Sequence, residues 1–184
     1  GFIGNMVVWG AWVAMAAVVQ KVQFTPVTNV VAFSAYALFT GVIVSSIVLV
    51  ALIMGEQIAG NAMLYVAQAF GITAGVFGGL SIYAYTTKTD FSWMRGVLFV
   101  GVIALIILSI VNFFVQSSIF TMAVSFLGVL IFSGYTLYDT QKIMREYPAN
   151  AHIAAAMALF TNFIMLFMYI LRLILMLAGG GNRD

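Results

Sequence analysis

The chain has 184 residues, 64% of them hydrophobic and only 7% charged, with a net charge of +2 at pH 7, and its mean hydropathy is +1.14. This composition lies far outside the soluble globular range and specifies an integral membrane protein, one domain of packed helices over residues 1–184. The basic residues are scattered, which argues against a nucleic-acid surface, and the absence of cysteine excludes disulfides, thiolate nucleophiles and cysteine-ligated metals.

Six apolar runs follow in order, at 1–19, 28–54, 62–85, 94–115, 119–140 and 152–178. Each is near the ~20 residues that cross ~30 Å of hydrocarbon, so the spacing predicts an all-α bundle of six transmembrane helices. The second and last runs are long enough to tilt or to contain a break. The joints at 20–26, 55–60, 86–90, 116–118 and 145–150 are short; the first closes on Pro26, and Pro148 ends its helix and stiffens the turn. The chain opens on Gly1, already within an apolar run, and an N-terminal piece is expected upstream. A signal peptide fits the first run poorly, since it has no basic residues and contains Trp9 and Trp12.

Lysine and arginine placement sets the expected orientation. With six crossings, Lys21, Lys88, Arg95, Lys142 and Arg145 fall on one side, expected to be cytoplasmic. Glu56, the neutral 116–118 turn and the tail with Arg183 fall on the other, so the C-terminus is expected to be non-cytoplasmic.

The acids are Glu56, Asp90, Asp139, Glu146 and Asp184. Only Asp139 falls inside an apolar run, and an ionisable group in hydrocarbon marks a functional site by default. It lies roughly one to two turns from the cytoplasmic interface. The short turn at Tyr147 and Pro148 makes the last two helices antiparallel neighbours, which puts Asn162 at comparable depth, able to face Asp139. The competing reading is an interfacial aspartate, hydrated or capping its helix.

Other polar positions are read more simply. Gly71, Gly75 and Gly79 recur every fourth residue, and with Gly78 they offer a groove for close helix packing. Arg172 is expected to snorkel toward the outer interface, with an outer gate as the alternative. Asp90 is a loop charge or an N-cap for the next helix, and His152 a solvated residue at the start of the last helix. Gln68 and Asn112 are expected to hydrogen-bond between helices.

Enzyme readings lack their residues. No lysine lies deep in a helix for a retinal Schiff base, one histidine cannot form a His-Glu-x-x-His metal site, and one membrane-depth aspartate cannot form an aspartyl dyad. A serine–histidine pair would need His152, at the wrong depth. The chain is expected not to be an enzyme and to carry no cofactor.

Three stretches resemble the transmembrane Bax-inhibitor-motif family: AGVFGGLSIYAYTTKTDF at 74–91, GYTLYDTQ at 134–141 and ALFTNFIMLFMYILR at 158–172. The resemblance covers essentially the whole chain. It implies seven helices with the last threaded through the centre, the run at 1–19 standing as the second. It also implies a pH-sensitive calcium leak in which two aspartates near the cytoplasmic side form a pair whose protonation changes pore closure. Asp139 matches the first aspartate, and the second position is Asn162. The family's basic partner in its second helix has no counterpart in 1–19.

The resemblance thus makes Asp139, Asn162, Thr140 and Tyr138 the expected sensor and ion pathway, with a weakened response. Calcium takes roughly six to eight oxygens. Asp139, Asn162, Thr140, backbone carbonyls and water are the candidates, and one negative charge makes the site weak. Expected partners are the lipid bilayer and calcium or other cations. The alternative is a non-conducting regulator, since some bacterial relatives bind a membrane-bound ATP-dependent protease. The short tail lacks the basic extension of eukaryotic relatives, so a bacterial inner membrane is the expected location.

Overall fold

The computed structural model describes residues 2–22, 25, 27–148 and 150–180, with side chains from residue 8 onward except residue 9. Pro26, Arg183, Asp184 and the Trp9 side chain lie outside the described residues. The order is α1 (Phe2–Val22), α2 (Thr28–Ala59), α3 (Leu64–Thr86), α4 (Met94–Val115), α5 (Ser118–Glu146) and α6 (His152–Gly180). Helices α2 to α6 are long and apolar enough to cross a bilayer. Helix α1 runs over 21 residues, Phe2–Val22, and its apolar part among the fully described residues is Gly10–Val22.

The ends follow from local chemistry. Helix α2 runs beyond the apolar stretch to Ala59, which puts Glu56 in its last turn rather than in the joint. Gly60 then takes the left-handed conformation (φ 63°), and its amide donates to the Glu56 carbonyl at 3.2 Å while Asn61 donates to Gly55 at 3.1 Å. This glycine-terminated cap satisfies carbonyls the helix leaves open. A Cβ on Gly55 would stand 2.6 Å from the Asn61 carbonyl oxygen, so the chain can double back only over a glycine. Helix α5 is capped by Ser117, whose Oγ accepts from the Phe120 amide at 3.4 Å. It continues past Thr140 to Glu146 because Gln, Lys, Met, Arg and Glu are good helix formers.

Helix α6 is central and packs on α2, α3 and α5, while α4 leans chiefly on α5 and α1 on α2. Leu166 and Leu171 are fully buried at its middle. The outward faces are apolar, with Leu38, Val42 and Phe114 about 70% exposed, the surface a bilayer covers. Because lipid tails are as apolar as leucine, burial alone does not hold such helices together; tight packing and interhelical hydrogen bonds do.

That close packing is not where the glycine spacing placed it. A Cβ on Gly71, Gly75, Gly78 or Gly79 would meet nothing within 4 Å. Helix α3 turns Ala69, Thr73 and Ala84 inward instead, and the glycine stripe faces away. The close approaches lie on α5. A Cβ on Gly128 would stand 2.6 Å from the Tyr169 ring of α6, and one on Gly134 would stand 2.7 Å from Leu98 of α4. The Tyr169 ring, resting over Gly128, also stacks on Phe132 with centroids 5.8 Å apart.

Candidate functional site

Helix α5 ends at Glu146 and α6 begins at His152, so α5 descends to the joint and α6 climbs back beside it. Asp139 stands about two turns before the end of α5 and Asn162 about three turns into α6. Their side chains meet: Asn162 Nδ2 donates to Asp139 Oδ2 at 2.8 Å. Asn162 is 4% exposed. Asp139 is thus neither a free interfacial carboxylate nor a helix cap. Among the described residues it makes no ion pair, in keeping with an α1 that carries no basic residue before Lys21.

The neighbouring candidates separate onto different faces of α5. Thr140 Oγ1 donates to Ser81 Oγ on α3 at 3.5 Å, so Thr140 turns away from Asn162. Tyr138 lies under Lys142, whose Nζ is 5.6 Å from the ring centroid. The four expected pathway residues therefore do not form one cluster. Successive helix positions point about 100° apart, and only Asp139 faces α6. Among the described residues no three acidic or histidine side chains gather as a metal group, so a cation beside Asp139 would depend on neutral oxygens for the rest of its shell.

Two features went unnoticed in the sequence. Next to Asn162, Thr161 shares a 2.9 Å hydrogen bond with the hydroxyl of Tyr36, a fully buried residue of α2. Trp12 of α1 donates from its indole to Thr40 of α2 at 2.9 Å, and Thr40 donates in turn to the Tyr36 carbonyl at 2.7 Å. Hydrogen bonds between neutral groups therefore join α1 to α2 and α2 to α6 beside the candidate site. The second feature is Gln141, 3% exposed. Its Oε1 accepts from the Phe91 amide at 2.8 Å and its Nε2 donates to the Thr89 carbonyl at 2.7 Å, clamping the α3–α4 connection to α5. The available signal was a glutamine two residues past Asp139 in a membrane-length helix, where an amide must find partners.

The remaining candidates fall as follows. Asn112 accepts from Thr121 across the α4–α5 joint at 2.9 Å, as expected of an interhelical hydrogen-bonder. Gln68 is exposed, and no interhelical bond to it occurs among the described residues, because α3 buries its Tyr65, Ala69 and Thr73 face instead. Arg172 and His152 are both exposed. Asp90 caps no helix: Oδ1 accepts from the Ser92 hydroxyl at 2.6 Å and from its amide at 2.9 Å, and Arg145 stands 3.8 Å away. These hydrogen bonds, with Arg145 adding a smaller pull, hold the Asp90 carboxyl below its ordinary range. Burial pushes the Tyr147 phenol up, against the partial opposition of Lys142.

Comparison with known proteins bears on the whole bundle. A family model described as "Inhibitor of apoptosis-promoting Bax1" matches residues 1–180. An uncharacterized membrane protein of Vibrio cholerae is 40% identical over 114 residues, 62% of this chain and 51% of that protein. Inner membrane protein YbhL of Escherichia coli is 33% identical over 185 residues, 93% of this chain and 70% of that protein. An uncharacterized protein of Borreliella burgdorferi is 35% identical over 176 residues, 91% of this chain and 71% of that protein. The chain thus spans about half to seven-tenths of the length of these relatives. With the family match running through all six helices, the chain belongs to the Bax inhibitor-1 family of integral membrane proteins.

Proposed function

We propose that the bundle is a proton-modulated leak for calcium or similar cations, with Asp139 as the responsive group. The observation that carries this reading is the 2.8 Å contact between Asp139 and the buried Asn162 amide across the α5–α6 hairpin. An ionised carboxylate accepts from that amide and attracts cations, whereas a protonated one loses the charge and turns donor. The same helix pair then holds two electrostatic states within one fold. Thr140 and Tyr138 take supporting places at most, because their side chains face α3 and Lys142.

A single carboxylate makes the response shallow and the calcium affinity low. No catalytic step or resident cofactor is proposed. The E. coli relative is named an inner membrane protein, and the same location is proposed for this chain, with Lys88, Arg95, Lys142 and Arg145 on the cytoplasmic side and the C-terminus outside.

The test is calcium flux into liposomes containing the full chain, measured across pH 5 to 8. Flux should depend on pH, and Asp139→Asn should abolish that dependence. An equal flux and pH response in the variant would remove Asp139 from the role. One observation favours a second reading, a non-conducting regulator of a membrane-bound protease: an amide stands where a second acid would complete the pair. That reading expects no flux at any pH and co-purification with such a protease.

A further inference from the structure

Charge gathers at one end of the bundle. The α3–α4 connection and the first turn of α4 bring Lys88, Asp90 and Arg95, and the last turns of α5 bring Lys142, Arg145 and Glu146. Aromatic side chains mark the same end as the bilayer boundary, with Tyr85 73% and Trp93 68% exposed. Between the connection and α5, Ser92, Tyr138, Gln141, Lys142, Arg145 and Glu146 line a shallow cleft, open to solvent, that encloses only about 10 Å³.

The donors in this cleft are unevenly used. Gln141 is fully committed to Thr89 and Phe91, and the Ser92 hydroxyl to Asp90. The Tyr138 hydroxyl has no hydrogen bond among the described residues, and Lys142 forms no salt bridge among them, its Nζ standing 5.6 Å from the Tyr138 ring. Arg145 meets Asp90 at 3.8 Å with both side chains largely exposed, and Asp90 Oδ1 already accepts two hydrogen bonds from Ser92. A guanidinium carries five N–H donors, so most of its capacity is open. Tyr138, Lys142 and Arg145 are spaced i, i+4 and i+7 on α5, one helix face. Phosphate is the group that such a set fits, by a bidentate arginine, a point-charge lysine and a phenol. At the bilayer boundary phosphate comes as a lipid headgroup.

We propose that this cleft binds the phosphate of an anionic phospholipid through Tyr138, Lys142 and Arg145. Glu146 at its rim disfavours a bare anion that brings no acyl chains to the adjoining apolar belt, which is why the occupant is a lipid. The site stands whether or not the bundle conducts.

The test is native mass spectrometry of the full chain in detergent, titrated with phosphatidylglycerol or phosphatidylcholine. The wild-type chain should retain phosphatidylglycerol selectively. Lys142→Ala with Arg145→Ala should weaken that retention about tenfold. Lys88→Ala with Arg95→Ala removes the same charge from the same end outside the cleft and should leave retention within about twofold. Tyr138→Phe, which keeps charge and ring, should lower it about threefold. Equal losses in the two double variants would overturn the proposal in favour of a diffuse field. So would equal retention of the two lipids, or displacement of the lipid by inorganic phosphate at matched concentration.

Discussion

Asn162 Nδ2 lies 2.8 Å from Asp139 Oδ2 across the α5–α6 hairpin, so the carboxylate has a buried amide as its partner, and among the described residues it forms no salt bridge. Replacing that amide by a carboxyl tests what the scaffold can do. In Asn162→Asp two carboxyl groups at this separation cannot both ionise freely, and they titrate as a coupled pair. The pH dependence of flux should steepen, and equilibrium calcium binding should tighten about tenfold through the added negative ligand. Unchanged affinity together with an unchanged pH slope would show that the hairpin does not form the cation's path.

The two long-range bonds of Gln141 predict a local rather than global weakness. Gln141→Leu leaves the Phe91 amide and the Thr89 carbonyl without their partner, at a cost of about 1–3 kcal/mol for each group kept from water. Hydrogen exchange at Phe91 should accelerate at least about tenfold, since each 1.4 kcal/mol of opening free energy is one decade. Gln141→Glu keeps an acceptor for Phe91 and loses only the donor to Thr89, so its exchange should fall between the two. Equal protection in all three chains would mean that the connection is held by the packing of Phe91 alone.

Helix existence was legible in the sequence, because a bilayer leaves helices as the only way to satisfy every backbone group within a single apolar run. The Asp139–Asn162 contact was legible for a similar reason: a short joint forces α5 and α6 together, and counting turns from it sets depth. Which side of a helix faces inward was not legible. A helix apolar on every face has no polar stripe to orient it, so spacing suggested Gly71, Gly75 and Gly79 as a seam when Gly128 and Gly134 hold the close approaches. The same blindness hid Gln141 and Tyr36, whose partners are 50 and 125 residues away along the chain.

The two sets of glycines should therefore respond oppositely to alanine. Gly128→Ala drives a Cβ to 2.6 Å from the Tyr169 ring. The ring must leave its stack on Phe132, and overpacking of this kind costs about 1–3 kcal/mol. Gly75→Ala meets open space and removes a flexible residue from a helix interior, so it should be neutral or stabilising by up to about 1 kcal/mol. Thermal unfolding in detergent reads both. Combining Gly128→Ala with Tyr169→Leu should recover part of the loss, a non-additivity that a merely local helix effect would not produce.

The acid limb of stability should carry the mark of Asp90. Its folded carboxyl is held below the ordinary value first by the Ser92 hydroxyl, then by the Ser92 amide, with Arg145 contributing less. A depressed folded pKa adds stability that is fully present above the unfolded value near ~3.9 and is lost as pH falls through the folded one. The α3–α4 connection should accordingly stay ordered at neutral pH and loosen as pH falls below about 4, seen as faster exchange at the Ser92 amide after correction for the intrinsic rate. Asp90→Asn keeps an oxygen acceptor for Ser92 but cannot titrate, so its corrected protection should be flat with pH. Arg145→Gln should leave the acid-side loss largely in place, because the exposed 3.8 Å pair is the weaker influence. If Arg145→Gln flattened the profile as fully as Asp90→Asn, the ion pair rather than the serine turn would be what orders this connection.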